Sequence, residues 1–173
     1  HVSRTCAKCH AAVAREYDGS VHGVASAKGV ADTPVCTDCH GEHDILIHTD
    51  PQARTERANL SARVCSPCHS SVKLSAKYKL NSNRYRTFAD SFHGLAGAAG
   101  SVRVANCASC HGVHDIRPSS DPASTISPAR LVGTCGKCHP GANQRFAIGA
   151  VHVDTKSREA PLLYWVARFY LLF

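Results

Sequence analysis

The sequence predicts a mostly irregular, partly α-helical chain: short helices joined by long loops, little or no sheet, and an interior filled by bound groups rather than by side chains. Three observations lead there. Only 28 of residues 1–159 are Leu, Ile, Val or Phe, about 18%, a level at which a chain is not expected to fold on its own side chains. All ten cysteines fall in one short recurring motif. A second pattern of polar and small residues repeats at a shift of 71 positions.

The motif is Cys-x-x-Cys-His, present five times as Cys6/Cys9/His10, Cys36/Cys39/His40, Cys65/Cys68/His69, Cys107/Cys110/His111 and Cys135/Cys138/His139. No cysteine is left over for a disulfide. Zinc sites and thioredoxin-like redox pairs also use Cys-x-x-Cys, but neither requires His at the next position. The five-fold coincidence points to c-type haem attachment, in which two thiols bond the porphyrin and the adjacent His reaches the iron. Five haems give the fold expectation its content, a haem-cored multihaem cytochrome c. Burial of porphyrin then replaces burial of Leu and Ile.

The repeat supplies candidates for the second axial ligand. Ser20-Val21-His22-Gly23 matches Ser91-Phe92-His93-Gly94, and Cys-x-x-Cys-His-Gly-x-His-Asp-Ile over 36–45 matches 107–116. Asp50-Pro51 matches Asp121-Pro122, and Ala150-Val151-His152 stands in the Ser-x-His place of a partial third unit. The domain expected over 1–152 therefore consists of two-haem units at 6–45 and 65–116 and a half unit at 135–152. Met ligation is ruled out, because the chain contains no Met. Five histidines outside the motifs sit at repeated positions: His22, His43, His93, His114 and His152. They are the expected distal ligands, and His1 and His48 are read as ordinary surface or core residues. Two imidazoles on opposite faces of one iron need Cα atoms about 12–13 Å apart, and three extended residues reach at most about 11 Å. His43 therefore cannot serve the iron of His40, nor His114 that of His111. If the Ser-x-His imidazoles act locally, His22 pairs with His10, His93 with His69 and His152 with His139. His43 then crosses to His111 and His114 to His40.

These residues resemble the bis-histidine multihaem c-type cytochromes, with Ser-x-His-Gly and Cys-x-x-Cys-His-Gly-x-His as the shared elements. The resemblance covers 1–152 and implies an exported electron carrier with low-potential haems. Some such proteins are soluble, some dock on or are fused to a quinone-reactive membrane cytochrome, and some polymerise. It implies a redox protein as partner and a periplasmic or extracellular location. Electron transfer without substrate chemistry is the leading function. An oxyanion reductase would need one open iron, and a polymeric wire would cap a haem in the next subunit.

The remaining features fit around that reading. The lack of Met predicts that a segment such as a cleaved export signal precedes His1. The formal net charge is +7, and five ferric haems with their propionates bring it to about +2. Residues 57–89 carry seven cations (Arg57, Arg63, Lys73, Lys77, Lys79, Arg84, Arg86) and no acid. No nucleic-acid-binding motif accompanies them, so nucleic acid is not an expected partner. Residues 153–173 form a linker and an apolar, aromatic terminal helix from Pro161. The fourteen residues 160–173 rise about 21 Å as a helix, short of a bilayer core. Contact with a membrane or a membrane subunit is expected there.

Overall fold

The computed structural model describes residues 2–149, 151–158 and 160–172. His1 and Ala150 lie outside the described residues, as do Glu159 and Phe173. About half of the chain is helical, and no strand occurs among the described residues. The helices are α1 (Val2–Ala7), α2 (Ala11–Asp18), α3 (Val21–Ala27), α4 (Cys36–His40), α5 (Ser66–His69), α6 (Val72–Tyr78), α7 (Arg84–Ala89), α8 (Phe92–Ala98), α9 (Cys107–His111), α10 (Leu131–Gly136), α11 (Gln144–Ala147) and α12 (Pro161–Leu172). A π turn, Ser61–Cys65, leads directly into α5.

Side chains do not close an interior. Ala53 is the single buried apolar side chain among the described residues, and the other buried residues are serines, glycines and one threonine. The accessible surface is 12119 Å² for 18.5 kDa, against about 8,200 Å² for an ordinary folded monomer of that mass. Local polar devices carry the architecture instead, and they recur at the repeat interval.

The Ser-x-His-Gly element is a helical hairpin. Ser20 caps α3: its Oγ accepts the Gly23 N–H at 3.0 Å and donates to the Tyr17 carbonyl at 2.6 Å. Ser91 does the same for α8, accepting from Gly94 at 3.3 Å and donating to the Phe88 carbonyl at 2.6 Å. Each cap satisfies a helix N-terminal N–H that would otherwise be orphaned. The glycine lets the hairpin close. A Cβ on Gly23 would lie 1.9 Å from the Tyr17 carbonyl oxygen, and one on Gly94 would lie 2.2 Å from that of Phe88. Thus α2 packs on α3 and α7 on α8.

The second and fourth Cys-x-x-Cys-His motifs are single helical turns, α4 and α9. Asp38 accepts the Val35 N–H at 2.6 Å, and Ser109 accepts the Asn106 N–H at 3.1 Å, so each side chain ties off its own turn. Gly41 (φ 90°) and Gly112 (φ 84°) end them in a backbone region that favours glycine.

A longer repeated element follows each. From Ile47 and from Pro118 the chain runs as successive tight turns, with an N–H to the carbonyl three residues back at Asp50, Ala53, Glu56 and Asn59, and again at Asp121, Ser124, Ser127 and Arg130. Asp50 and Asp121 open the runs by accepting the N–H two residues on, both at 2.8 Å. The first run delivers the third motif and the second delivers the fifth. Sequence reasoning found only the Asp-Pro start, because later turn positions share backbone geometry but not residue identity.

Candidate functional site

Eight of the ten candidate ligand histidines come together in four ring pairs. His22 faces His69 with ring centroids 6.3 Å apart, His40 faces His114 at 6.2 Å, His93 faces His139 at 6.1 Å, and His111 faces His152 at 6.2 Å. Each pair joins one motif histidine to one histidine from outside the motifs, and the partners are 41 to 74 positions apart in the chain. The separation has a chemical meaning. Metal–nitrogen bonds of about 2 Å, plus about 1.1 Å from nitrogen to ring centre, put two axial imidazoles about 6.2 Å apart across one metal ion. Ordinary aromatic pairs span about 4.5–7 Å, so the match lies in the recurrence of one separation in four pairs that each contain a motif histidine. Among the described residues no cluster of three or more His, Cys, Asp or Glu is gathered for a metal ion. A haem iron needs no such cluster, since the porphyrin supplies four ligands and the protein two. On this test the residues present fit haem.

The pairing corrects the local assignment in three places. His22 stands opposite His69, not His10; His93 opposite His139, not His69; and His152 opposite His111, not His139. The reason is helical. α2 begins immediately after His10, and eight residues carry the chain about 12 Å away before the hairpin turns. His22, at the start of α3, is therefore presented far from its own motif. His43 does not cross to His111, because His152 takes that position. The expected juxtaposition of His114 with His40 is found. A hydrogen bond from the Val21 N–H to the Ile116 carbonyl, 2.9 Å, ties the first hairpin to the His114 segment. His10 and His43 are exposed and, among the described residues, take part in none of the ring pairs.

Burial holds six of the paired imidazoles (His22, His40, His69, His93, His111 and His152) below the usual histidine range. The neutral ring is the form that donates a nitrogen lone pair to a metal. His152 lacks the serine cap of the other units, and α7 holds it instead. Its Nδ1 lies 3.1 Å from the Thr87 hydroxyl, and an imidazole anchored through one ring nitrogen keeps the other for a metal. Two residues on, Asp154 bonds Arg86 at 2.5 Å and Asn83 at 3.2 Å. The Arg86 guanidinium, with the Lys156 N–H, keeps the Asp154 carboxyl below the usual range. Sequence reasoning missed Thr87, Asn83, Arg86 and Asp154. Nothing in the spacing marks Thr87, 65 positions from His152, or the neighbouring Asn83 and Arg86 as its support.

The cysteines lie beside one another in chain order. The Cys36 thiol is pushed up by burial and then by the neighbouring Cys6, and the Cys39 thiol is raised mainly by burial, with Cys68 among its neighbours. Cys65 and Cys107 share a hydrogen bond that drives Cys65 up and holds Cys107 down at about 7. The Cys107 N–H also bonds the Ser61 hydroxyl at 3.2 Å. The Cys110 thiol, raised chiefly by burial, has Cys135 and Cys138 beside it. Thr125 links the same two motifs, donating to the Cys110 carbonyl at 2.6 Å and accepting at its own carbonyl from Thr134, again at 2.6 Å.

At the far end, α12 is apolar on all sides apart from Arg168, and none of its residues is buried. Arg168 and Arg158 lie over the Tyr164 ring, 5.3 and 5.9 Å from its centre. No helix among the described residues is long and apolar enough to cross a membrane.

No family model matches this chain, and neither the curated proteins nor the solved structures include a match to it.

Proposed function

We propose that this chain is a multihaem c-type cytochrome that transfers electrons through five covalently attached haems. The observation that carries the reading is the set of four histidine pairs at 6.1–6.3 Å, each containing a Cys-x-x-Cys-His histidine. When bound, the haems supply reversible one-electron iron chemistry. The chain's own residues do the rest. Cys6, Cys9, Cys36, Cys39, Cys65, Cys68, Cys107, Cys110, Cys135 and Cys138 anchor the porphyrins. His10, His40, His69, His111 and His139 are the proximal ligands, and His22, His93, His114 and His152 are distal. Thr87 orients His152. The chain-order neighbourhood of the motifs supports a single file of redox centres running from the first motif to the fifth. His/His ligation without Met favours low potentials.

The direct test is stoichiometry. Intact mass of the exported protein is expected about 3.1 kDa above the 18.5 kDa polypeptide, with all ten cysteines resistant to alkylation. Bound zinc or free thiols would sink the reading.

The ring planes supply a second test. The His40–His114 planes are 13° apart, whereas the other three pairs lie at 44–59°. Near-parallel axial imidazoles split the iron orbitals rhombically and staggered ones do so less. The ferric EPR spectrum is therefore expected to separate one rhombic low-spin centre from three with larger anisotropy. A single set of g values for all centres would contradict these planes.

The exposed apolar surface of α12 supports contact with a membrane on the periplasmic or extracellular side, where haem attachment and a quinone-linked donor would meet. An all-round apolar helix has no stable place in water, and Tyr164 and Trp165 are residue types that favour the lipid–water boundary. Flotation with lipid vesicles should retain the loaded protein and lose a variant ending at residue 159. Equal flotation of both forms would remove α12 from the membrane role.

A further inference from the structure

Two register rules run through the ring pairs. A Ser-x-His imidazole faces the motif two places further on: His22, after the first motif, faces His69 of the third, and His93, after the third, faces His139 of the fifth. A Gly-x-His imidazole faces the motif two places back: His114 of the fourth motif faces His40 of the second. The capped hairpins that carry His22 and His93 share their hydrogen bonds and their close glycine, so the first rule follows from repeated geometry.

By these rules His111 of the fourth motif requires a Gly-x-His from a sixth motif, which residues 1–173 do not contain. His152 takes that place, and it is held there by Thr87 and, through Asp154, by Asn83 and Arg86. His111 thus has its facing imidazole within the chain. At the other end, His10 requires a Ser-x-His that follows a motif two places earlier, and His43 points by rule to the motif two before its own. Both lie outside residues 1–173. Among the described residues, His10 and His43 are the two candidates in none of the pairs, and both are exposed. They belong to one region: His10 is an electrostatic neighbour of His40, three residues before His43, and α1 packs on α4.

We infer that the end of the molecule carrying His10 and His43 is a docking face for a further haem-bearing unit of the same repeat design, outside residues 1–173. That unit places a Ser-x-His imidazole on the iron held by His10 and receives His43 on its own iron. The exchange reproduces, across the face, the one that links His22 to His69 and His114 to His40. A second copy docked head to tail does not meet the need, because its His152 already faces its own His111. This inference rests on the haem reading proposed above.

The test uses the haem-loaded chain 1–173 and imidazole as the probe for the missing ligand. The expected result is a monomer with five haems, four of its irons low-spin and one high-spin. That one iron takes up one equivalent of imidazole and becomes low-spin, and it does so equally in the His43→Ala variant. A monomer with all five irons low-spin overturns the inference, and loss of one low-spin centre in H1A, H43A or H48A would identify the internal ligand responsible. A dimer whose fifth low-spin centre disappears on dilution and in H43A overturns it in favour of reciprocal capping between two copies. Consumption of nitrite at the high-spin iron overturns it in favour of an enzyme site. Fewer than five haems would defeat the haem reading itself, a result distinct from five haems with the wrong spin count.

Discussion

If the motifs carry haem as proposed, alanine in place of His22 is expected to turn the iron of the third motif, not the first, from low-spin to high-spin. The sequence neighbour of His22 is His10, but the ring it faces is His69, at 6.3 Å. The measurement is a combination experiment on the loaded protein. His22→Ala alone should add one high-spin centre visible by EPR. Adding Cys65→Ala and Cys68→Ala, which removes the third haem, should abolish that increment. Adding Cys6→Ala and Cys9→Ala should leave it intact. The opposite pattern would restore local pairing and refute the geometry of the hairpin. The effect is large because His22 and His69 are 47 positions apart in the chain. Losing it removes one of the few long-range ties in a molecule with almost no apolar core. The loaded His22→Ala protein should therefore also melt at a lower temperature. His48→Ala, at an exposed histidine outside every ring pair, should not.

Substitution of Gly23 by alanine should destabilise the loaded protein by about 3 kcal/mol, the upper part of the range for forced overpacking. The added methyl would meet the Tyr17 backbone carbonyl at 1.9 Å, and backbone cannot swing aside as a side chain can. To relieve the clash α3 must separate from α2, and His22 moves with it. The variant is thus expected to show both a lower melting temperature and partial loss of low-spin character at the third haem. Gly94→Ala should behave alike through Phe88, with the fifth haem affected. Gly133→Ala is the control: it lies in α10 with nothing within 4 Å of the added carbon. Helix propensity there favours alanine by up to about 1 kcal/mol. Equal losses at all three glycines would remove the close-approach account.

The Ser-x-His-Gly triplet shows how far a pattern carries and where it stops. Serine two before and glycine one after a histidine, found twice, were enough to single out His22 and His93. The structure supplies the reason for that spacing, a cap and a close helix crossing. Neither residue says which motif histidine the imidazole will face, because that depends on the direction in which the hairpin projects its first turn. Thr87 and Asp154 are a stronger case of the same limit. Their support of His152 depends on α7 lying beside residues 152–154, and a threonine in a short helix gives no sign of it.

What the sequence by itself determined is chemistry held within a few residues: the five Cys-x-x-Cys-His motifs, the recurring histidines, the helical and strand-free character, and the shortage of apolar side chains. These are fixed by covalent spacing, by local capping and by composition, all of which are visible in one dimension. The tertiary structure alone decided the partners, bringing His22 to His69, His93 to His139 and His152 to His111, and leaving His10 and His43 at one exposed end. Pairing of groups 41 to 74 positions apart is set by hairpin orientation and by loop closure. Closure free energy changes only slowly with the length of chain between two groups, so spacing alone could not choose among the pairings.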